Sequence, residues 1–311
     1  MSTESTLSDI DAACAVGDLN RIKDLHELSL AEGKNGCLWD EEAYIFAAKG
    51  HLDCLKYLNE QSLDKGKYDC YWSAAVCENA AGGHLDCLIY LHENGCPWDE
   101  WACANAAKGH LDCLIYLHEN KCHWNEEACV YAARGYLDCL KYLHENGCPW
   151  DEQVCESASS GHLDCLIYLH EHGCPWNKNL CAKAVGGHLD CLKYIYEWSS
   201  AGSEQSLAGS EQSLAEDEND CPWNSVIYIY AICGYLDCLK YLHEQSLAKG
   251  DNVCLWDDRA YTFAAKGHLD CLKYLHEQSL AMGENGCPWN KPDCIRAAAN
   301  HPECLAYINK H

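Results

Sequence analysis

Residues Trp98 to Trp124 read WDEWACANAAKGHLDCLIYLHENKCHW, and this stretch decides the fold. Asp99 stands directly before Glu100, where a carboxylate caps the first free N–H groups of a helix. A first helix, A, then runs to about Lys108, with the small residues Ala102, Cys103, Ala106 and Ala107 at helical spacing. Gly109 breaks the chain. A second helix, B, follows as HLDCLIYLHEN, in which Leu111, Leu114 and Leu117 recur every three residues, an amphipathic pattern. Two helices of about ten residues cannot bury an apolar face alone, so the unit requires neighbours of its own kind.

The neighbours are present. Gly-His/Tyr-Leu-Asp-Cys-Leu begins at Gly50, Gly83, Gly109, Gly135, Gly161, Gly187, Gly234 and Gly267, with degenerate copies at Gly17 and Asn300. Successive copies are 33, 33, 26, 26, 26, 26, 47, 33 and 33 residues apart. The position equivalent to Asp99 holds Asp40, Ser73, Asn125, Asp151, Asn177, Asn224, Asp257 or Asn290, each a good N-cap. The repetition also explains most of the 26 cysteines: Cys77, Cys103, Cys129, Cys155 and Cys181 share one phase, Cys87, Cys113, Cys139, Cys165 and Cys191 a second, and Cys70, Cys96, Cys122, Cys148 and Cys174 a third. A single array over residues 1–311 is expected, with a charged N-terminal capping repeat at 1–36 and a C-terminal cap at 290–311.

Composition narrows the function classes. The chain has 311 residues, 48% of them apolar, enough for a large core, and a formal charge of −26. Residues 1–16 lack the basic start and apolar run of a secretory signal, and no stretch approaches eighteen consecutive apolar residues. A reducing, cytoplasmic location is expected. The acid excess and the absence of clustered Lys and Arg argue for no nucleic-acid and no membrane partner, and favour a protein partner with a basic surface. A monomer is the default expectation.

The stretch at Gly267 reads GHLDCLKYLHEQS and that at Gly135 GYLDCLKYLHENG; both resemble the second helix of ankyrin repeats, and AAKGH resembles their helix junction. The 33-residue spacing of the outer copies is also the ankyrin period. The likeness is closest to divergent arrays with NGCPWDE loops, as in protists and large DNA viruses. Two departures matter: no Thr-Pro-Leu-His turn occurs, and the 26-residue copies are too short for the ankyrin β-hairpin finger. The fold expected is therefore an all-α, ankyrin-like solenoid of about ten stacked helix pairs, with little or no hairpin finger.

The longer spacings carry inserts of Glu-Gln-Ser-Leu-Ala-x-Gly, as at Glu244–Gly250, and GSEQSLA occurs twice running at Gly202–Ala215. Seven residues turn a helix to within about 20° of two whole turns, so such an insert can lengthen helix B and keep its direction. Repeat slippage into a tolerant loop is the preferred explanation, and the functional alternative is a protruding partner contact. Residues 199–218 are expected to be a flexible insertion.

Metal and catalytic chemistry find little footing. Each unit offers residues such as His84, Cys87, His92 and Cys96, but no Cys-x-x-Cys occurs, and structural zinc sites need paired ligands. Equivalent cysteines of adjacent repeats lie too far apart for a disulfide, whereas bridges within one repeat stay open. Buried packing is the expected role of the thiols. Nearly every His, Asp and Cys copies a scaffold position, so no asymmetric acid, base or nucleophile set arises, and neither a catalytic residue, a metal nor a cofactor is expected.

Information sits where copies differ. Helix B barely changes, while helix A varies at two, five, six and nine residues past its cap, positions on one face. From these, Trp101, Asn105, Glu127, Tyr131, Gln153, Glu156, Asn179, Lys183 and Tyr230 are expected to contact a partner, because aromatic residues concentrate at binding hot spots. The resemblance places this helix on the concave surface of ankyrin arrays. A non-catalytic protein-interaction scaffold or adaptor follows; the alternatives are a Cys/His metal-binding or redox-sensing protein and a self-assembling structural component.

Overall fold

The computed structural model describes residues 3–32, 39–63, 72–177, 179–205, 225–249, 256, 258–283, 286–287 and 289–311. Every regular element among them is an α-helix, twenty in all, with no strand. The chain falls into two compact units, Met1–Asp151 and Glu152–His311, each holding five helix pairs. In the first unit the A helices are α1 (Thr3–Ala15), α3 (Glu41–Ala48), α5 (Ala74–Ala81), α7 (Glu100–Ala106) and α9 (Glu126–Ala132). Their B partners are α2 (Leu19–Ala31), α4 (Leu52–Leu63), α6 (Leu85–Glu93), α8 (Leu111–Glu119) and α10 (Leu137–Glu145). In the second unit α11 (Glu152–Ala158), α13 (Asn179–Val185), α15 (Ser225–Ile232), α17 (Asp258–Ala264) and α19 (Lys291–Ala297) alternate with α12 (Leu163–Glu171), α14 (Leu189–Gln205), α16 (Leu236–Ala248), α18 (Leu269–Met282) and α20 (Pro302–Lys310). Within each unit A packs on the next A, B on the next B, and each A on its own B. Each unit is thus a two-layered helical-repeat solenoid.

The caps form as the sequence requires. Oδ1 of Asp99 accepts from the Trp101 N–H at 3.0 Å, and Asp40, Ser73, Asn125 and Asn177 each accept from the residue two further on. Between the layers, Ala102, Ala106 and Ala107 are fully buried and let α7 approach its neighbours closely, while Leu114 and Leu117 of α8 fill the seam. Full burial of each such leucine contributes roughly 1.5–3 kcal/mol.

Two side-chain devices join successive repeats. At the A–B turn, Gly83 adopts φ +109°, and a Cβ there would sit 2.7 Å from Nδ1 of His110, the residue that opens helix B of the next repeat. Where that residue is Tyr136, its ring lies in the same way over Gly109. The His-to-Tyr exchange therefore keeps a flat ring on a bare backbone, a packing role. The second device is a rung of three rings. His92 of α6 stacks on Trp98 at 4.0 Å between centroids, and its Nδ1 shares a hydrogen bond of 2.9 Å with the Tyr116 hydroxyl of α8. His118, Trp124 and Tyr142 repeat it, as do His170, Trp176 and Tyr194 in the second unit.

The seven-residue inserts partly lengthen helix B. The helices α6, α8, α10 and α12 have nine residues, whereas α4, α16 and α18 have 12, 13 and 14. The gain is about one turn rather than two. In these three repeats the helix A cysteine is replaced by Tyr44, Tyr228 or Tyr261, whose hydroxyls donate to the carbonyls of Leu58, Leu242 and Leu275 of the longer helix. Of the insertion expected to be flexible at 199–218, the part up to Gln205 continues α14, and the rest lies outside the described residues. Among the described residues no helix is long and apolar enough to cross a membrane.

Candidate functional site

The His and Tyr side chains of the B layer are taken up in the inter-repeat rungs, and the exposed face of the A layer carries the candidate site. In the first unit, Trp101 projects from the first turn of α7 and stays 45% exposed. One turn on, the half-buried Asn105 donates to the Glu78 carbonyl at 3.4 Å and accepts from Lys108 Nζ at 2.7 Å. That ammonium stands 4.3 Å from the ring centroid of Tyr131 on α9, and Arg134, three residues past Tyr131, covers the same ring at 5.0 Å. Glu127 lies half-buried on α9, its backbone N–H held by Asn125. Asn105 and Tyr131 are thus brought into one cluster, joined through Lys108.

In the second unit, Oε1 of Glu156 on α11 accepts from Asn179 at 3.1 Å and from the cap residue Asn177 at 2.8 Å. Gln153 and Lys183 are exposed, and Tyr230 on α15 is 49% exposed. The structure therefore links Glu156 with Asn179 and leaves Lys183 and Tyr230 presented to solvent.

The sequence reading left Lys108 and Arg134 out of the site. A signal was present: an aromatic residue six past the cap is followed three later by a cation, as in Phe46 with Lys49 and Phe263 with Lys266. Both of those lysines lie over their rings, at 5.3 and 4.9 Å. A cation over a ring face is worth about 0.5–1 kcal/mol at an exposed site. The aromatics at this position are therefore carriers of surface charge as well as packing groups.

The residues weighed as metal ligands are not brought together. His84 lies over Gly50, His92 belongs to a rung, Cys87 is buried in α6, and the Cys96 thiol donates to the Ser73 carbonyl at 3.7 Å. Among the described residues no group of three or more His, Cys, Asp or Glu is placed to hold a metal ion. The thiols pack as small apolar groups, every described unbridged one buried except the partly exposed Cys233. Cys181 departs from that expectation, being disulfide-bonded.

No known family's sequence profile matches the chain, and no curated protein matches it. Among solved structures the chain is similar to the pentatricopeptide repeat protein PPR10 in complex with an 18-nt psaJ RNA element, at 11% identity and a TM-score of 0.40. A cysteine-to-serine variant of that protein in the same complex gives the same values. All of this chain is covered in both, and it spans about half, 53%, of theirs. Both are complexes of a pentatricopeptide repeat protein with RNA, the finding that runs against the expectation of no nucleic-acid partner. That expectation weighed net charge and clusters along the sequence, whereas contact with an anion depends on cations brought together in space, as Lys108 and Arg134 are over the Tyr131 ring.

Proposed function

We propose that the chain is a non-catalytic scaffold of divergent, ankyrin-like type, whose A-helix face captures a protein partner. The contact residues are Trp101, Asn105, Glu127 and Tyr131 in the first unit and Gln153, Glu156, Asn179, Lys183 and Tyr230 in the second, with Lys108 and Arg134 added. The observation that carries this reading is the division of labour between layers. Helix B repeats almost unchanged and its His, Tyr and Leu side chains are used between repeats, while the changing positions of helix A keep Trp101 and Tyr230 half exposed. Exposed aromatics on a face that differs from copy to copy give each position its own specificity. The 26-residue register that runs without interruption from Gly83 to Gly187 supports treating residues 1–311 as one array.

The test compares wild-type chain with the double variant Trp101→Ala, Tyr131→Ala as baits in native lysate, read by quantitative mass spectrometry. Loss of at least tenfold in one or more captured proteins, with an unchanged circular dichroism melt, is the expected outcome. Nuclease treatment before capture separates a direct protein contact from one bridged by RNA. An identical set of captured proteins for both baits would reject the assignment of the face.

A further inference from the structure

Four residues past the cap of helix A stand Cys77, Cys103, Cys129, Cys155 and Cys181, and 19 residues after the first four come Cys96, Cys122, Cys148 and Cys174 in the loop that follows helix B. For Cys181 the loop residue in register is Cys221, displaced by the long insertion and outside the described residues. Repeats with a lengthened helix B hold Tyr44, Tyr228 or Tyr261 at the helix position instead of a cysteine.

The geometry recurs along the first unit. The Cys96 thiol donates to the Ser73 carbonyl at 3.7 Å, Cys122 to Asp99 at 3.2 Å, and Cys148 to Asn125 at 3.4 Å. Each acceptor is the cap residue one turn ahead of the helix cysteine, so both thiols meet at one spot. In return the Cys77 thiol reaches the Cys96 carbonyl at 4.0 Å. Among the groups that push the Cys77 and Cys103 thiols up from their ordinary range, the loop thiols of Cys96 and Cys122 come first, as expected for neighbours. In the second unit the residue of the same phase, Cys181, is disulfide-bonded.

We propose that Cys77–Cys96, Cys103–Cys122 and Cys129–Cys148 are dithiols that close into disulfides, each stapling an A helix to the loop that launches the next one. The oxidant is a small-molecule disulfide. The loop thiol, deprotonated, attacks one sulfur of that molecule; a mixed disulfide forms and one small thiolate leaves. The helix thiol then loses its proton and attacks the loop sulfur, forming the protein S–S bond and releasing the second small thiol. Two protein thiols are oxidised and one small disulfide is reduced to two thiols. The loop cysteine acts first because Cys96, Cys122 and Cys148 keep 5% exposure, whereas Cys77, Cys103 and Cys129 have none. The neighbouring Cys96 thiol and burial both push the Cys77 thiol far up from its ordinary range, which keeps it protonated until its partner is activated. Since Cys96 lies three residues before the cap Asp99 and five before Trp101, the staple fixes the loop from which the binding face starts.

The test uses the full chain, reduced with dithiothreitol and then equilibrated with oxidised glutathione under native conditions. Proteolysis without reduction and mass spectrometry should return Cys77–Cys96, Cys103–Cys122 and Cys129–Cys148 linked peptides, with Cys287 unlinked to any helix A residue. The melting temperature should rise by about 5 °C or more and return on reduction. The triple variant Cys96→Ser, Cys122→Ser, Cys148→Ser should lose that rise while keeping the reduced chain's melt; should the variant not fold, the map on wild-type chain decides. Links between different repeats, glutathione adducts alone, or thiols unreacted at a potential that bridges the unfolded chain would each overturn the proposal.

Discussion

Replacing Gly83 with Ala tests how successive repeats are locked. Gly83 joins α5 to α6 at φ +109°, a conformation that L side chains rarely adopt, and holding alanine there costs about 1–3 kcal/mol. The added Cβ would also sit 2.7 Å from Nδ1 and 2.8 Å from Cε1 of His110, so the ring must leave its seat at the head of α8. Overpacking of that kind costs a further ~1–3 kcal/mol. Alanine restricts the unfolded chain and returns about 0.4–1 kcal/mol. The net expectation is a loss of about 2–4 kcal/mol, read as a fall in the urea midpoint with the slope unchanged. Adding His110→Ala removes the steric part and leaves the backbone part, so the double variant should be more stable than the sum of single losses by about 1–3 kcal/mol. A loss below about 0.5 kcal/mol for Gly83→Ala, or strict additivity, would refute the proposed packing.

Two further outcomes follow from the same packing. Leu117→Ala empties a fully buried site between α8 and its neighbours and should cost about 2–5 kcal/mol by urea unfolding; an effect under 1 kcal/mol would mean that the seam is not packed. Alkali should also destabilise the fold. Burial pushes the thiols of Cys14 and Cys113 up to about 12 and those of Cys54 and Cys271 to about 11, and the phenols of Tyr241 and Tyr274 to about 12. The unfolded chain ionises first, its thiols near pH 8.5–9 and its phenols near 10, so the contribution of these groups is complete below about pH 8 and declines as pH rises toward 11. A urea midpoint that holds or climbs between pH 8 and 11 would contradict this.

Much of the fold was legible because it rests on local chemistry. Asp99 and its equivalents announce the A helices, the Leu spacing of HLDCLIYLHE announces the B helices, and repetition implies the stacking. The rungs were not legible in the same way, because His92 and Tyr116 are 24 residues apart and neither is apolar enough to enter a periodicity count. The trace they leave, one His and one Tyr at fixed phase in each copy, has meaning only once two copies are placed side by side. The exchange of Cys for Tyr44, Tyr228 and Tyr261 was equally visible but had no reading until the fold set each hydroxyl against the carbonyl of the seventh residue of helix B, which in the short repeats accepts from the loop cysteine N–H instead. At the candidate site, the aromatic residues were found from their variation. Lys108 and Arg134 were missed because they stand 26 residues apart in the sequence and meet only over the Tyr131 ring.

The most direct measurement is removal of one repeat in register. Excising Pro97–Cys122, 26 residues, joins Cys96 to His123 and restores the same loop sequence pattern ahead of Asn125. If each helix pair is an interchangeable brick, the shortened chain keeps its helicity per residue by circular dichroism and still unfolds cooperatively, while a 20-residue excision from the same place does not. Collapse of cooperative unfolding in the in-register deletion, or equal tolerance of both deletions, would contradict the account.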